Sequence, residues 1–177
     1  IVDLRKIVAL QPVVFTDHAV ERTDELDLND LAEVASVSLP LPTAQQLPIQ
    51  FDEARQAWII SAANPNLRIL GHFSAPLPTP SYMQVAKYRD RYILRDGYHR
   101  AYGFLRRGIF RVPTFVKEFG PYEELGLPVG MLPTSAYLGD KPPFLPDYLD
   151  DSVSTSASLP ASQKLIVIHG LELTPPA

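Results

Sequence analysis

Eighteen prolines in 177 residues, about twice the ordinary usage of roughly 5%, do most to limit what this chain can fold into. Proline lacks an amide donor and blocks helix interiors and central strands, so regular elements must lie between its clusters. Pro40, Pro42 and Pro48 form one cluster, Pro76, Pro78 and Pro80 a second, and the run from Pro121 to Pro146 a third, whereas Ser81–Val112 contains none. That proline-free window is where the sequence is freest to build helix and strand.

Hydrophobic residues at 46% and charged residues at 20% match an ordinary globular domain and exclude disorder of the whole chain. The absence of cysteine removes a disulfide framework, a thiolate zinc site and a cysteine nucleophile. The longest apolar runs, such as Ala57–Ile60 and Leu165–Ile168, fall far short of the roughly 20 residues of a membrane helix. A cytoplasmic location without membrane contact is expected.

The net charge of -4 is unevenly spread. Lys87–Lys117 holds nine basic residues against Asp90 and Asp96, a local +7, and the other 146 residues sum to -11. Seven of those acids lie between Asp17 and Glu33, ordinarily a solvated face. A basic block in an acidic chain favours a small anionic ligand over a long polyanion.

Local patterns predict the elements. Leu31, Ala32, Val34 and Ala35 support a helix over Asn29–Val37, with Thr16 or Asp17 as the N-cap of an earlier segment whose stretch to Leu26 reads as either helix or loop. Gln56–Ser61 and Leu67–Phe73, joined by Ala62–Asn66, read as a hairpin. Tyr82–Tyr88 and Arg91–Arg95 read as a second. From Tyr98 the period changes from two to 3.6, with Ala101, Phe104 and Leu105 on one face and Arg100, Arg106 and Arg107 off it. Gly103 suits a close helix approach, Gly108 closes the helix as a left-handed cap, and Arg111–Lys117 reads as the next strand. Pro121–Leu125 opens a short helix, Ser152–Ser162 reads as a connector rich in serine, and Leu165–Ile168 as a strand. His18, His72 and His169 lack metal-ligand spacing and read as structural or exposed, and no protein-held metal site is predicted.

Asp96-Gly97-Tyr98-His99-Arg100 falls where a strand hands over to a helix. A helix's first turn exposes amide donors and the positive end of its dipole, a natural cradle for phosphate. There Gly97 lets the backbone approach, His99 and Arg100 add donors, and Asp96 caps the helix or orients a hydroxyl or magnesium ion. The same residues also make a plain capped turn, and His99 reads equally well as a satisfied structural histidine.

The segment Tyr92–Val116, with its Asp96–Arg100 turn and the Val112-Pro113 strand, resembles the ParB/sulfiredoxin superfamily, and Met83–Leu94 is similar to that family's strand pair. The resemblance covers about 35 residues and implies an α+β fold, a small mixed sheet with helices. A domain of this type is expected over 1–120, and the composition after Gly120 reads as a proline-rich, irregular C-terminal portion over 121–177, packing on the domain or extending from it. It also implies binding of a nucleotide (ATP, ADP or CTP), with magnesium, through Gly97, Tyr98, His99 and Arg100, and with Asp96 and His99 as candidate catalytic groups. Tyr98 stands where sulfiredoxins carry their catalytic cysteine, so sulfinic-acid reduction is excluded. The partition proteins' downstream DNA-binding helices are not recognisable after Gly120. Phosphate transfer would need a further acid, for which Asp17, Glu21 and Glu25 are the candidates.

The expected function is therefore binding of a nucleotide or other phosphorylated ligand at the Gly97 turn, with phosphate hydrolysis or transfer left open. The alternatives are a non-catalytic nucleic-acid-binding module using Arg89, Arg91, Arg106 and Arg107, and a protein-interaction scaffold.

Overall fold

A computed structural model describes residues 1–27, 29–39, 49–62, 69–70, 77–78, 82–127, 130–160 and 164–169. In chain order its strands are β1 (Val2–Asp3), β2 (Ile49–Asp52), β3 (Ala57–Ala62), β4 (Ile69–Leu70), β5 (Leu77–Pro78), β6 (Gln84–Tyr88), β7 (Arg91–Asp96), β8 (Arg111–Val112), β9 (Phe115–Phe119) and β10 (Lys164–His169). The helices are α1 (Thr16–Thr23), α2 (Leu31–Ser38), α3 (Tyr98–Arg106) and α4 (Thr134–Tyr137), with 3₁₀ turns at Leu4–Lys6, Tyr122–Leu125 and Leu145–Leu149. The class is α+β. Among the described residues, no helix is long and apolar enough to cross a membrane.

Contacts divide the chain into a first unit, 1–41 with 81–156, and a second, 42–80 with 157–177. The sequence reading placed its division at residue 120, whereas the contacts carry 121–156 into the first unit and join 42–80 to the C-terminal residues.

In the first unit, β6 is the central strand of three. It pairs antiparallel with β7 through the Arg89-Asp90 turn and parallel with β9. Both faces of β6 are covered, since Val85 and Ala86 point to opposite sides and both are buried. The hairpin expected at Tyr82–Arg95 is present. Arg111–Lys117 differs from expectation, because Pro113 and Thr114 interrupt it. β8 turns to β1 and β9 turns to β6, as a residue without an amide donor breaks a continuous ladder.

The N-terminal segment lies along the other edge of the sheet. The Val8 amide donates to the Tyr92 carbonyl, and the Leu94 amide donates back to Val8. On its far side the Ala9 amide donates to the Pro143 carbonyl and Leu145 donates to Ile7. Proline keeps its acceptor when it loses its donor, so part of the proline-rich run packs as an edge rather than trailing away. Leu4, Ile7, Val8, Leu10, Met83, Ile93, Leu94, Phe104 and Leu145 share the resulting core.

The ambiguous stretch after Thr16 is helix α1, with Phe15 rather than Thr16 or Asp17 at its N-cap and no side-chain cap bond. Asp30 caps α2 by accepting from the Ala32 and Glu33 amides. The acidic run thus contributes caps and turns: Glu33 also accepts from the Asp27 amide at 2.7 Å, and Asp27 from that of Asn29.

In the second unit β3 lies between β2 and β10, antiparallel to both. Of the strand expected over Leu67–Phe73 only Ile69 and Leu70 are described, and these pair with β5, while β3 pairs with β2 and β10. The expected turn and the rest of that strand, residues 63–68 and 71–73 with His72, lie outside the described residues. The β2–β3 loop is closed by Asp52, which accepts from the Arg55 amide and pairs with its guanidinium at 2.9 Å.

Candidate functional site

Strand β7 ends at Asp96, and Gly97 takes a left-handed conformation (φ 101°, ψ 22°) before α3 begins. A side chain could not replace its hydrogen, since a Cβ there would lie 2.5 Å from Met83 Cγ and 3.2 Å from its Cα. The turn is thereby pressed against the start of β6, whose Met83 amide donates to the Ser38 carbonyl of α2. The Asp96 carboxylate accepts from the Gly97 amide at 2.8 Å through one oxygen, and its other oxygen lies 3.9 Å from the Arg100 guanidinium.

The helices α1 and α3 run side by side in the same direction. Phe15 stacks on His99 at 5.6 Å with the rings almost parallel. One turn on, Gly103 lies against Ala19 and Thr23, where a Cβ would come within 2.8 Å of the Ala19 carbonyl. A further turn on, Arg107 donates to the Thr23 carbonyl. Each pairing joins the N-cap Phe15 or a residue of α1 to one 84 positions later, apart from the second reach of Thr23, so the two N-termini emerge together beside Gly97. Their dipoles add at that end and favour an anion.

The individual residues take sharply different roles. Arg100, expected off the buried face, is 2% exposed and donates to the Val37 carbonyl at 3.3 Å. It caps the C-terminal turn of α2 and places a buried positive charge behind the site, but it is not an open hand for a ligand. Tyr98 is a core residue as well. Its hydroxyl accepts from the Leu10 amide at 2.9 Å and donates to the Leu94 carbonyl, and burial pushes the phenol pKa up. His99 is half-buried and faces Phe15. Phe15 had no signal in the sequence, since its place beside His99 depends on how α1 lies on α3.

Among the acids considered as bases, Asp17 lies in the first turn of α1, at the Gly97 end. Glu25 follows the helix's far end, on the order of 15 Å along the axis from Phe15, and so belongs with the wrong end of α3. Glu21 lies one turn beyond Asp17, between the two. The magnesium expectation does not fit the donor set. Asp96 faces an amide and a guanidinium, and among the described residues no group of three or more His, Asp or Glu is arranged to hold a metal ion.

The basic block is largely consumed by the fold. Arg107, Arg100 and Arg91 donate to Thr23, Val37 and Tyr137, carbonyls in the last turns of α1, α2 and α4 respectively. Three arginines therefore cap three helices, each matching a cation to the negative end of a dipole. Lys87 pairs with Glu118 at 3.1 Å, Arg89 lies over Tyr88, and Arg95 and Lys117 lie over Phe119. Of the four arginines named for a nucleic-acid surface, Arg91 and Arg107 are thus half-buried and committed to carbonyls, while Arg89 and Arg106 are exposed. Clefts of about 360 and 680 Å³ occur in this unit, the larger between Arg91, Tyr92, Lys141 and Phe144, and neither is lined by residues 96–100.

Compared with family models, curated proteins and solved structures, the chain matches none of them.

Proposed function

We propose that the first unit is a ParB/sulfiredoxin-like domain that binds a phosphorylated ligand, a nucleotide such as ATP, ADP or CTP, at the start of α3. The fold proposal is supported by the β6–β7 hairpin, the Asp96-Gly97 turn, α3 and a β9 strand returning parallel to β6. The observation that carries the ligand proposal is the side-by-side emergence of two helix N-termini at a turn with no Cβ. Two dipole ends and the amides of the first turn of α3 form an anion cradle, and the buried Arg100 adds a positive charge behind it. The Phe15–His99 pair supplies an aromatic wall at the mouth. The unit's own residues bind and orient here, and binding is the proposed activity.

Calorimetric titration of the full chain with ATP, ADP and CTP tests this. One of the three should bind, and His99→Ala or Phe15→Ala should weaken it at least tenfold, about 1.4 kcal/mol, without lowering thermal stability comparably. A parallel titration with short duplex DNA distinguishes the alternative. Steeply salt-dependent DNA binding without nucleotide binding would replace this proposal with a phosphate-backbone surface, and binding of neither would end both.

A further inference from the structure

We infer that the outer edge of β9 is a self-association surface, joining two copies of this chain through an antiparallel β9–β9 pair. The opposite edge of the sheet is covered by Val8, but among the described residues no strand pairs with the outer edge of β9. Open edges are templates for pairing and are ordinarily blunted by charge. Here the charges are occupied: Glu118 pairs with Lys87 and Lys117 lies 4.8 Å over the Phe119 ring. Phe115 and Val116 remain 62% and 46% exposed on the same strand.

The backbone is prepared for a partner. The Phe115 amide donates inward to the Met83 carbonyl at 3.0 Å in the parallel register Gln84↔Phe115. That parity turns the amides and carbonyls of Phe115, Lys117 and Phe119 toward β6 and those of Val116 and Glu118 outward. Pro113 and Pro121 bound the window on either side.

Charge selects the occupant and the register. A two-fold axis at Val116 places Val116 opposite Val116, Phe115 opposite Lys117 and Thr114 opposite Glu118, with apolar contact at the centre and no like charges facing. Axes at Lys117 or Glu118 would set two ammonium or two carboxylate groups directly opposite, which destabilises a strand pair. Among the axes at Val116, Lys117 and Glu118, only the one at Val116 makes the strand self-complementary, as a two-fold interface requires.

Sedimentation of the full chain from low to high micromolar concentration should show a reversible dimer. Val116→Lys should yield a monomer with unchanged circular dichroism, because the side chain at 116 lies at the axis while its backbone is not needed by β6. Since the chain has no cysteine, Val116→Cys adds a single thiol. At a hydrogen-bonded antiparallel pair the Cα atoms are about 5.5 Å apart, within disulfide reach. In Glu118→Cys the thiols would be about 13 Å apart along the strands. Val116→Cys should therefore form a covalent dimer at least tenfold faster. A wild-type chain that stays monomeric throughout, or equal crosslinking of the two cysteine variants, would overturn the inference, and the crosslinking comparison stands even if Val116→Lys does not fold.

Discussion

Gly97 and Arg100 stand three residues apart and were legible to very different degrees. An Asp-Gly step between a strand and a helix announces a left-handed residue, because few other sequences tolerate that φ, and Gly97 has φ 101°. Gly97→Ala should cost about 1–3 kcal/mol for the backbone alone, with more for the encounter with Met83, measured by denaturant unfolding. Arg100 was not legible in this sense. Whether a guanidinium meets water or a helix end depends on where α2 lies, and α2 is some 60 residues away. Arg100→Ala should destabilise by about 1–3 kcal/mol, as the Val37 carbonyl loses its donor, whereas Arg106→Ala on the exposed end of α3 should stay within about 0.5 kcal/mol. Thr114 offers the opposite sign: its buried hydroxyl has no hydrogen-bond partner among the described residues, so Thr114→Val should be neutral or stabilising by up to about 1 kcal/mol in the same assay.

The elements show the same split between near-neighbour and distant causes. The period change at Tyr98 located α3, and the Arg89-Asp90 step located the β6–β7 turn, since both depend on adjacent residues. For α2 the Asp30 cap is local, and Asp30→Ala should cost about 1 kcal/mol, read as a lower thermal midpoint. The partners of β3 were not readable from its neighbours, because β10 supplies one of them from the other end of the chain. Gly103 lies between these cases. Its small size suggested a close helix approach, but only the fold identifies α1 as the neighbour. Gly103→Val should separate α1 from α3 and raise amide exchange throughout α1, and it should weaken anion binding at the Gly97 turn by misaligning Phe15 with His99.

Across the whole molecule, acidity should be the more informative variable. Arg5 hydrogen-bonds to Asp3 and holds its carboxyl down to about 2. Asp52 and Asp150 are held below the ordinary range by the Arg55 amide and by Ser152 respectively. A folded state with depressed carboxyl pKa values binds fewer protons than the unfolded chain, so the stability they contribute is present above the unfolded values and lost as pH falls through the folded ones. The thermal midpoint should decline from about pH 4 toward about pH 2, and Asp3→Asn should shallow that decline. A midpoint flat over this window would contradict the assignment. What residue order alone settled was the set of local states: the proline-bounded windows, the left-handed glycine, the change of period and the absence of thiol chemistry. These follow from dihedral sterics and from groups the chain does or does not contain. Only the tertiary structure decided the destinations. The +7 of Lys87–Lys117 read as a surface awaiting an anion, yet three of its arginines end on the C-terminal carbonyls of three separate helices. A cation's partner is the nearest group able to compensate it, and for Arg91, Arg100 and Arg107 that group arrives only when distant segments pack.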